Sequence, residues 1–174
     1  MKPNEFRIRN AKSSEFDYLG NLMGKVYSQL DGFANITDQP EYYKMLLNIG
    51  KLTEKDNTEL IIVESQKGKI VGAVLYFSDM KNYGSGGTAT QIKNTSGFRL
   101  LAVDPNQRGR GLGKILINEC INRAKKLGQK QIVIHSTKSM KIARAMYKKI
   151  GFVRYKDIDF NQGELPVFGF KLKF

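Results

Sequence analysis

The stretch LLAVDPNQRGRGLGK, residues 100–114, is the most informative part of this chain. Residues 98–103 form a nearly continuous apolar run typical of a buried central strand, and Asp104-Pro105 ends it. Three glycines then alternate with larger side chains at 109–113, where a helix begins. Glycine accepts positive φ and close ligand approach, and the free N–H groups of a first helical turn suit an anion such as pyrophosphate. The stretch therefore predicts a strand, a phosphate-binding turn and a helix.

The glycine turn matches neither of two common phosphate-binding patterns. The Walker A pattern fits Gly109 and Gly113-Lys114 only after shortening by one residue, and Ile115 replaces its hydroxyl residue. The dinucleotide pattern G-x-G-x-x-G fails because Lys114 takes the place of its third glycine. By itself, the turn is consistent with an anion site or with a structural tight turn.

Hydrophobic periodicity and turn residues predict the remaining elements. Before the quoted stretch they are a strand at 5–9, a helix capped by Ser13 or Ser14, a helix from Pro40 to about Leu52, a hairpin of Leu60–Glu64 and Ile70–Phe77, and a long loop at 81–97. After it they are a helix at about 111–127, a strand at Gln131–His135, a helix at Ser139–Ile150, and strands at Phe152–Phe160 and Leu165–Phe174. This order is typical of a mixed α/β sheet with helices on both faces, and the crossover 98–135 joins parallel strands.

The amino-acid composition excludes several classes of protein. The chain has 174 residues, the size of one domain, with one cysteine and one histidine. We therefore expect no internal disulfide, no metal site, and an inert, buried Cys120. No apolar run is long enough to span a bilayer, and the first ten residues lack the apolar core of a signal peptide. These features predict a cytoplasmic protein that does not interact with membranes.

The net charge of +13 belongs to one segment. Residues 105–156 contain 14 Lys and Arg but a single acidic residue, Glu119, whereas residues 1–104 contain 13 basic and 12 acidic residues. Charge alone is consistent with a solvated helix face, a nucleic-acid surface, or a site for a polyphosphate ligand.

Two spaced motifs in this segment resemble the GNAT superfamily of N-acetyltransferases. The family pattern [RQ]-x-x-G-x-[GA] matches residues 108–113, and A-x-x-x-Y-x-x-x-G-F matches residues 143–152. The resemblance is strong over 98–155, and the element order extends it to nearly the whole chain. It implies one domain, 1–174, with an acceptor-side half at about 1–80 and an acetyl-CoA-binding core at about 96–155. It also implies a mostly antiparallel sheet of six to seven strands with one splayed parallel pair.

The resemblance implies transfer of an acetyl group from acetyl-CoA to a primary amine. Tyr147 matches the tyrosine that protonates the leaving sulfur, and a phenol with an ordinary pKa of about 10 is protonated at neutral pH. The backbone near Leu101 is the implied hydrogen-bond donor to the thioester carbonyl. The implied cofactor-binding residues are Leu101, Ala102, Val103, Arg108, Gly109, Arg110, Gly111, Leu112, Gly113, Lys114, Ser139 and Ala143.

The chain departs from the family pattern at two places. Many members have a glutamate base near the position of Ser96, but no carboxylate occurs between Met80 and Val103 here. The candidates for a base are then Glu64, Asp79, a water, or a substrate group. Met140 replaces a frequent asparagine, and Ser139 is the alternative helix cap. His135 is either a proton relay or a strand-end residue bonded to backbone.

These departures leave open a non-catalytic acyl-CoA-binding sensor on the same fold. We expect no nucleic-acid partner, because no recognised binding motif is present and a CoA ligand explains part of the charge. The acceptor amine, whose pocket the N-terminal half and its Tyr42 and Tyr43 are implied to form, is not determined by the sequence. Dimerisation through the last strands is equally undetermined.

Overall fold

The computed structural model describes residues 5–84 and 86–174. Its regular elements, in chain order, are β1 (Phe6–Asn10), α1 (Phe16–Ser28), α2 (Pro40–Leu47), β2 (Thr58–Ser65), β3 (Ile70–Phe77), β4 (Thr95–Val103), α3 (Leu112–Lys126), β5 (Gln131–Ser136), α4 (Lys141–Ile150), β6 (Val153–Arg154), β7 (Phe160–Gln162) and β8 (Leu165–Lys173).

The strands form one mixed sheet flanked by helices, which confirms the predicted fold class. The strand order is β1-β2-β3-β4-β5-β8-β6, and β7 pairs with β8. β4 and β5 are parallel, as the crossover rule requires, and their register joins Thr95 to Gln131 and Gly97 to Val133. The sheet has eight strands because the segment predicted as one strand, 152–160, divides into β6, a 3-10 helix and β7.

The chain divides into two compact units, each with its own core. The first unit comprises the chain up to Leu75 together with Leu100–Glu119. In it, β1 and β2 pair antiparallel, and α1 buries one stripe, Leu19, Leu22, Met23 and Val26. This i, i+3, i+4, i+7 spacing is that of an amphipathic helix against a core.

The second unit comprises Tyr76–Arg99 together with Cys120–Phe174. Within it, β5 lies between β4 and β8, and it pairs with β8 antiparallel from Gln131↔Lys173 to Ser136↔Phe168. Its central positions, Ile132, Val133 and Ile134, are buried, as expected of an apolar central strand. Cys120 is buried, in agreement with its predicted packing role.

Two predicted helix boundaries in the first unit are wrong. Ser13 and Ser14 do not cap α1 but lie in the 3-10 helix Ser13–Glu15, where the Glu15 carboxylate accepts the Lys12 N–H at 2.8 Å. The carboxylate provides a charge-assisted bond that a serine hydroxyl would not. The second helix ends at Leu47, and a 3-10 helix, Ile49–Glu54, replaces the rest of it.

The predicted loop at 81–97 is shorter than expected. β4 begins at Thr95, three residues before the apolar run, and two 3-10 helices, Met80–Asn82 and Ala89–Gln91, occupy part of the segment. Thr95 and Ser96 are buried polar residues, and the Ser96 hydroxyl is 3.0 Å from the Tyr76 hydroxyl. Because their polar atoms have partners, these residues join the strand without an apolar sequence signal.

Candidate active site

The glycine turn of the first unit follows a short 3-10 helix, Pro105–Gln107. The Asp104 side chain caps it by accepting the Asn106 N–H at 3.0 Å, and Lys69 forms an ion pair with Asp104 at 3.2 Å. These contacts lower the pKa of the Asp104 carboxyl against the opposing effect of burial. The Asp104 carboxylate, held by these two contacts, therefore fixes the start of the segment that leads into the glycine turn.

The backbone conformation of the turn requires glycine. Gly109 and Gly111 have φ of +79° and +75°, in the left-handed region that other residues adopt at a cost of about 1–2 kcal/mol. No atom lies within 4 Å of a Cβ placed at either position, so the space beside the turn is open. An open glycine backbone at a strand–helix junction fits a phosphate group.

The start of α3 adds backbone donors to this turn. The Ile115 N–H donates to the Gly111 carbonyl at 3.0 Å, so the N–H groups of residues 112–114 precede the first α-helical bond. These groups and the helix dipole favour an anion. The structure thus brings together the predicted backbone sites at Leu112, Gly113 and Lys114 with the two open glycines.

The three cations near the turn differ in availability. The side chains of Arg108 and Lys114 are exposed and form no ion pair with any described residue. Arg110 instead contacts Glu5, donates to Gln107 at 2.6 Å and lies 4.8 Å from the Phe6 ring centroid. Arg108 and Lys114 are therefore better placed than the Arg110 guanidinium to bind an external anion.

β4 has a backbone irregularity next to the predicted pantetheine residues. Leu100 has a φ of +56°, which is rare for a branched residue and breaks the regular strand geometry as a bulge does. The Tyr27 hydroxyl donates to the Leu101 carbonyl at 3.4 Å. Ala102 is buried, whereas Leu101 and Val103 are half-buried. Strain of this kind is concentrated at functional sites.

Tyr147, in the second unit, is 6% exposed and lies in an aromatic cluster. Its ring centroid is 6.0 Å from that of Phe98 and 5.8 Å from that of Phe152. Burial raises the pKa of the Tyr147 phenol above its usual range. The phenol is therefore protonated throughout the physiological pH range.

The Tyr147 hydroxyl is available to a ligand. It forms no hydrogen bond with any residue in 5–84 or 86–174, so its donor is not used within the described part of the chain. Gly151, which has a φ of +117°, ends α4 one helical turn after Tyr147. Its N–H donates to the Tyr147 carbonyl at 3.1 Å.

Ser139 does not cap α4, contrary to one sequence prediction. The N-cap position is Met140, which provides no side-chain hydrogen bond to the helix, and the Ser139 hydroxyl lies 2.9 Å from that of Thr137. The serine is one residue too early, so its oxygen bonds within the preceding turn. Ala143 is half-buried on α4, one helical turn before Tyr147.

His135 is held between two partners in the second unit. Its Nε2 is 2.7 Å from the Ile158 carbonyl, which only accepts, so Nε2 carries the proton and Nδ1 accepts from the Tyr83 hydroxyl at 3.0 Å. Burial lowers the pKa of this imidazole. The geometry favours the strand-end alternative over a proton relay. The sequence did not indicate Tyr83, which lies in a Gly- and Ser-rich loop.

The two carboxylates considered as bases have structural partners. Glu64 bonds Arg9 at 2.7 Å, and this contact lowers the pKa of its carboxyl. Asp79 accepts the Lys81 N–H at 2.7 Å as the cap of a 3-10 helix. Both carboxylates thus hold local structure, and the contact with Arg9 makes Glu64 a weaker acceptor for an amine proton.

Comparisons with known proteins agree with this geometry. The model of the acetyltransferase (GNAT) family matches residues 24–152. An uncharacterized N-acetyltransferase of Methanocaldococcus jannaschii is 44% identical over 153 residues, which cover 84% of this chain and 60% of that protein. The chain thus spans about three-fifths of the length of this relative.

Solved structures share the fold at low identity. A GNAT-family acetyltransferase from Staphylococcus aureus Mu50 superposes with a TM-score of 0.72 at 17% identity, covering 97% of this chain and 98% of that one. The PaiA N-acetyltransferase of Thermoplasma acidophilum, solved with coenzyme A, has a TM-score of 0.72 at 15% identity, covering 97% and 99%. No described helix is long and apolar enough to cross a membrane. The chain belongs to the GNAT family of acetyltransferases.

Proposed function

We propose that this chain is a cytoplasmic N-acetyltransferase that moves an acetyl group from acetyl-CoA to a primary amine. The family match over residues 24–152 carries this proposal, since it includes both the glycine turn and Tyr147. Acetyl-CoA supplies the acyl group as an activated thioester. We further propose that residues 1–174 act as one domain.

The open glycine turn supports a pyrophosphate site. The backbone N–H groups at 109–114 donate hydrogen bonds to phosphate oxygens, and Arg108 and Lys114 neutralise their charge. The irregular strand segment at 101–103 holds the pantetheine arm through backbone hydrogen bonds, as an added strand would. Ala143 leaves room on α4 for that arm.

Two groups of this chain act on the reacting atoms. The Leu101 N–H donates a hydrogen bond to the carbonyl oxygen, where negative charge develops. Tyr147 donates its hydroxyl proton to the departing sulfur while the bond between nitrogen and the carbonyl carbon forms and the carbon–sulfur bond breaks. Because burial raises the pKa of the phenol, the phenoxide is a strong base and regains a proton from solvent.

The amine must lose one proton during the reaction. With Glu64 and Asp79 engaged in structural contacts, we assign that proton to water or to a basic group of the substrate. An acceptor of low pKa is already neutral at the working pH, so it loses only this one proton, to water, and needs no protein base before it attacks. This requirement favours acceptors such as a protein N-terminus over a lysine side chain, because the α-amino pKa is near 7.7–8.0.

The occupied carboxylates also favour a second candidate, a non-catalytic acyl-CoA sensor. Isothermal titration with acetyl-CoA, followed by thiol release measured against a panel of amines, separates the two. Micromolar binding with turnover of one amine supports the enzyme. Binding with no turnover of any amine supports the sensor, and no binding contradicts both.

A further inference from the structure

A groove of about 660 Å³ lies in the second unit between α4 and residues 151–154. Its lining contains four cationic side chains, and the other lining residues are apolar; those used below are Lys141, Arg144, Lys148, Arg154, Phe152 and Phe170. Among the described residues, no carboxylate and no neutral polar side chain lines it. A groove of this size is within the range of ligand sites, and its charge selects an anion.

Arg144 is oriented by aromatic rings rather than by an acid. Its guanidinium carbon lies 5.5 Å from the Phe168 ring centroid and 5.6 Å from that of Phe170. The side chain forms no hydrogen bond or ion pair with any residue in the described part of the chain. Cation–π contacts therefore fix the guanidinium while all its N–H donors stay available.

Arg154 provides the internal comparison, because it contacts the same two rings. Its guanidinium carbon is 5.0 Å and 5.3 Å from their centroids, but it also bonds both carboxylate oxygens of Asp159 at 2.9 Å and 2.6 Å. The Arg154 charge is therefore neutralised within the protein. That of Arg144 is not.

Three cations lie on one face of α4. Lys141, Arg144 and Lys148 occupy positions i, i+3 and i+7, and neither lysine has an ion-pair partner among the described residues. Like charges at such spacings destabilise a helix. An external anion would remove this repulsion.

This face differs from the face that carries the predicted cofactor residues. Consecutive helical residues are rotated by about 100°, so Lys141 and Lys148 lie about 120° and 100° from Tyr147 around the axis of α4, and Arg144 lies about 60° from it. Tyr147 is buried, whereas Lys148 is exposed. The residues that line the groove do not include Ala143 or Tyr147.

Contrary to the expectation from the sequence, which rests on the lack of a recognised motif, we propose that this groove binds the phosphodiester backbone of a single-stranded nucleic acid without preference for base sequence. Lysine and arginine side chains only donate hydrogen bonds, which matches a backbone that carries phosphate acceptors. A peptide would also bring N–H donors, for which the lining side chains offer no acceptor. The Arg144 guanidinium can also stack on a base, and none of the described lining residues has a neutral polar side chain that would read base edges.

The charge pattern of the whole chain is consistent with an extended polyanion. The segment 105–156, which contains α4, holds 14 basic residues and one acidic residue. Such an excess of positive charge attracts nucleic acid by counterion release, which is independent of sequence.

Fluorescence anisotropy of a labelled 12-nucleotide oligouridylate at 50–250 mM NaCl tests the proposal. We expect Arg144→Ala to weaken binding at least threefold and to reduce the slope of log K against log[salt] by about 0.7, the value for one phosphate contact on a single strand. The triple variant K141A/R144A/K148A should reduce it by about 2. Lys149→Ala is the matched control, since it removes one exposed charge of α4 outside the groove.

Three outcomes would overturn the proposal. The first is an equal effect of Arg144→Ala and Lys149→Ala, which would indicate diffuse charge rather than a groove. The second is tighter binding of a glutamate 12-mer with the same dependence on Arg144, which would assign the groove to an acidic polypeptide. The third is displacement of the oligonucleotide by saturating acetyl-CoA, which would make the groove part of the cofactor site. Equal oligonucleotide affinity with and without acetyl-CoA supports it.

Discussion

The glycine turn at 108–114 and the Tyr147 cluster both carry proposed functional groups, but their physical properties are opposite. The turn is open, with two glycines at positive φ, and its donors are backbone N–H groups beside two cations that form no ion pair with a described residue. Tyr147 is a side chain 6% exposed among aromatic rings, and its chemistry depends on burial. Local sequence can encode the first kind of site completely, whereas the second depends on residues distant in the chain.

The largest effect that we expect comes from the turn. Gly111→Val should weaken acetyl-CoA binding at least 100-fold, because a β-branched residue is strained at a φ of +75° and its side chain would occupy the open space at the turn. Titration calorimetry measures the affinity. Gly128→Val is the control, since Gly128 has a φ of +73° with the same open surroundings but lies outside the turn. A folded Gly111→Val protein with wild-type affinity would remove the turn from the cofactor site.

The next-largest effect that we expect concerns Tyr147, the buried one of the two sites compared above. Tyr147→Phe should lower kcat 10-fold or more and leave acetyl-CoA affinity nearly intact, because it removes only the proton donor from a ring that stays packed. Steady-state kinetics and calorimetry measure the two quantities. Tyr155→Phe, on a half-buried tyrosine of the same unit, should change kcat less than twofold. An unchanged kcat in Tyr147→Phe would exclude the acid role.

A smaller effect concerns the free energy of unfolding and its dependence on pH, and it arises in the first unit. In the first unit, hydrogen bonds from Arg9 lower the pKa of Glu15 from 4.5 to about 2. A lowered carboxyl pKa stabilises the folded state above pH 4.5, and this contribution is lost as pH falls towards 2. Glu15→Gln should therefore cost about 1–2 kcal/mol at pH 7 and much less near pH 2, with partial solvent screening of the pair included.

Urea unfolding at pH 7 and pH 2.5 measures this difference, and Glu54→Gln, an exposed acid of the same unit, is the control. Equal losses at both pH values would show that the Arg9–Glu15 contact does not titrate as its geometry indicates.

The smallest effect that we expect is a pH-dependent change in Tm, which arises from His135 in the second unit. Burial lowers the pKa of His135 in the folded protein, so the folded state binds fewer protons than the unfolded state below pH 6.5. Stability is then complete above pH 6.5 and falls as the pH drops below it. His135→Gln keeps a donor for the Ile158 carbonyl but does not titrate, so its Tm should fall less between pH 7.5 and 5.5 than that of the wild type.

Thermal unfolding at the two pH values measures the effect. His135 is the sole histidine of the chain, so no other imidazole contributes to the difference. Parallel Tm curves for the two proteins would contradict a lowered pKa.

Predictions from the sequence succeeded where a local pattern is compatible with only one secondary structure. The Asp104-Pro105 stop, the alternating glycines and the apolar runs place β4, α3 and β5 within three residues of their observed bounds. Boundaries failed where polar side chains substitute for one another: the Glu15 carboxylate instead of a serine hydroxyl accepts the Lys12 N–H before α1, and Ser139 bonds Thr137 instead of α4. Several acceptors of similar strength lie within one turn, and only packing selects between them.

By itself, the sequence determined the family, the mixed sheet and the strand–turn–helix order around residue 105, because hydrophobic periodicity and glycine conformation act over short distances. The tertiary structure alone decided the strained φ of Leu100, the neutral His135 held by Tyr83 and Ile158, and the burial that raises the pKa of Tyr147. It also decided which arginines are neutralised, since Arg144 and Arg154 share two rings but only Arg154 meets a carboxylate. Charge, burial and hydrogen bonding depend on neighbours that come together only when the chain folds.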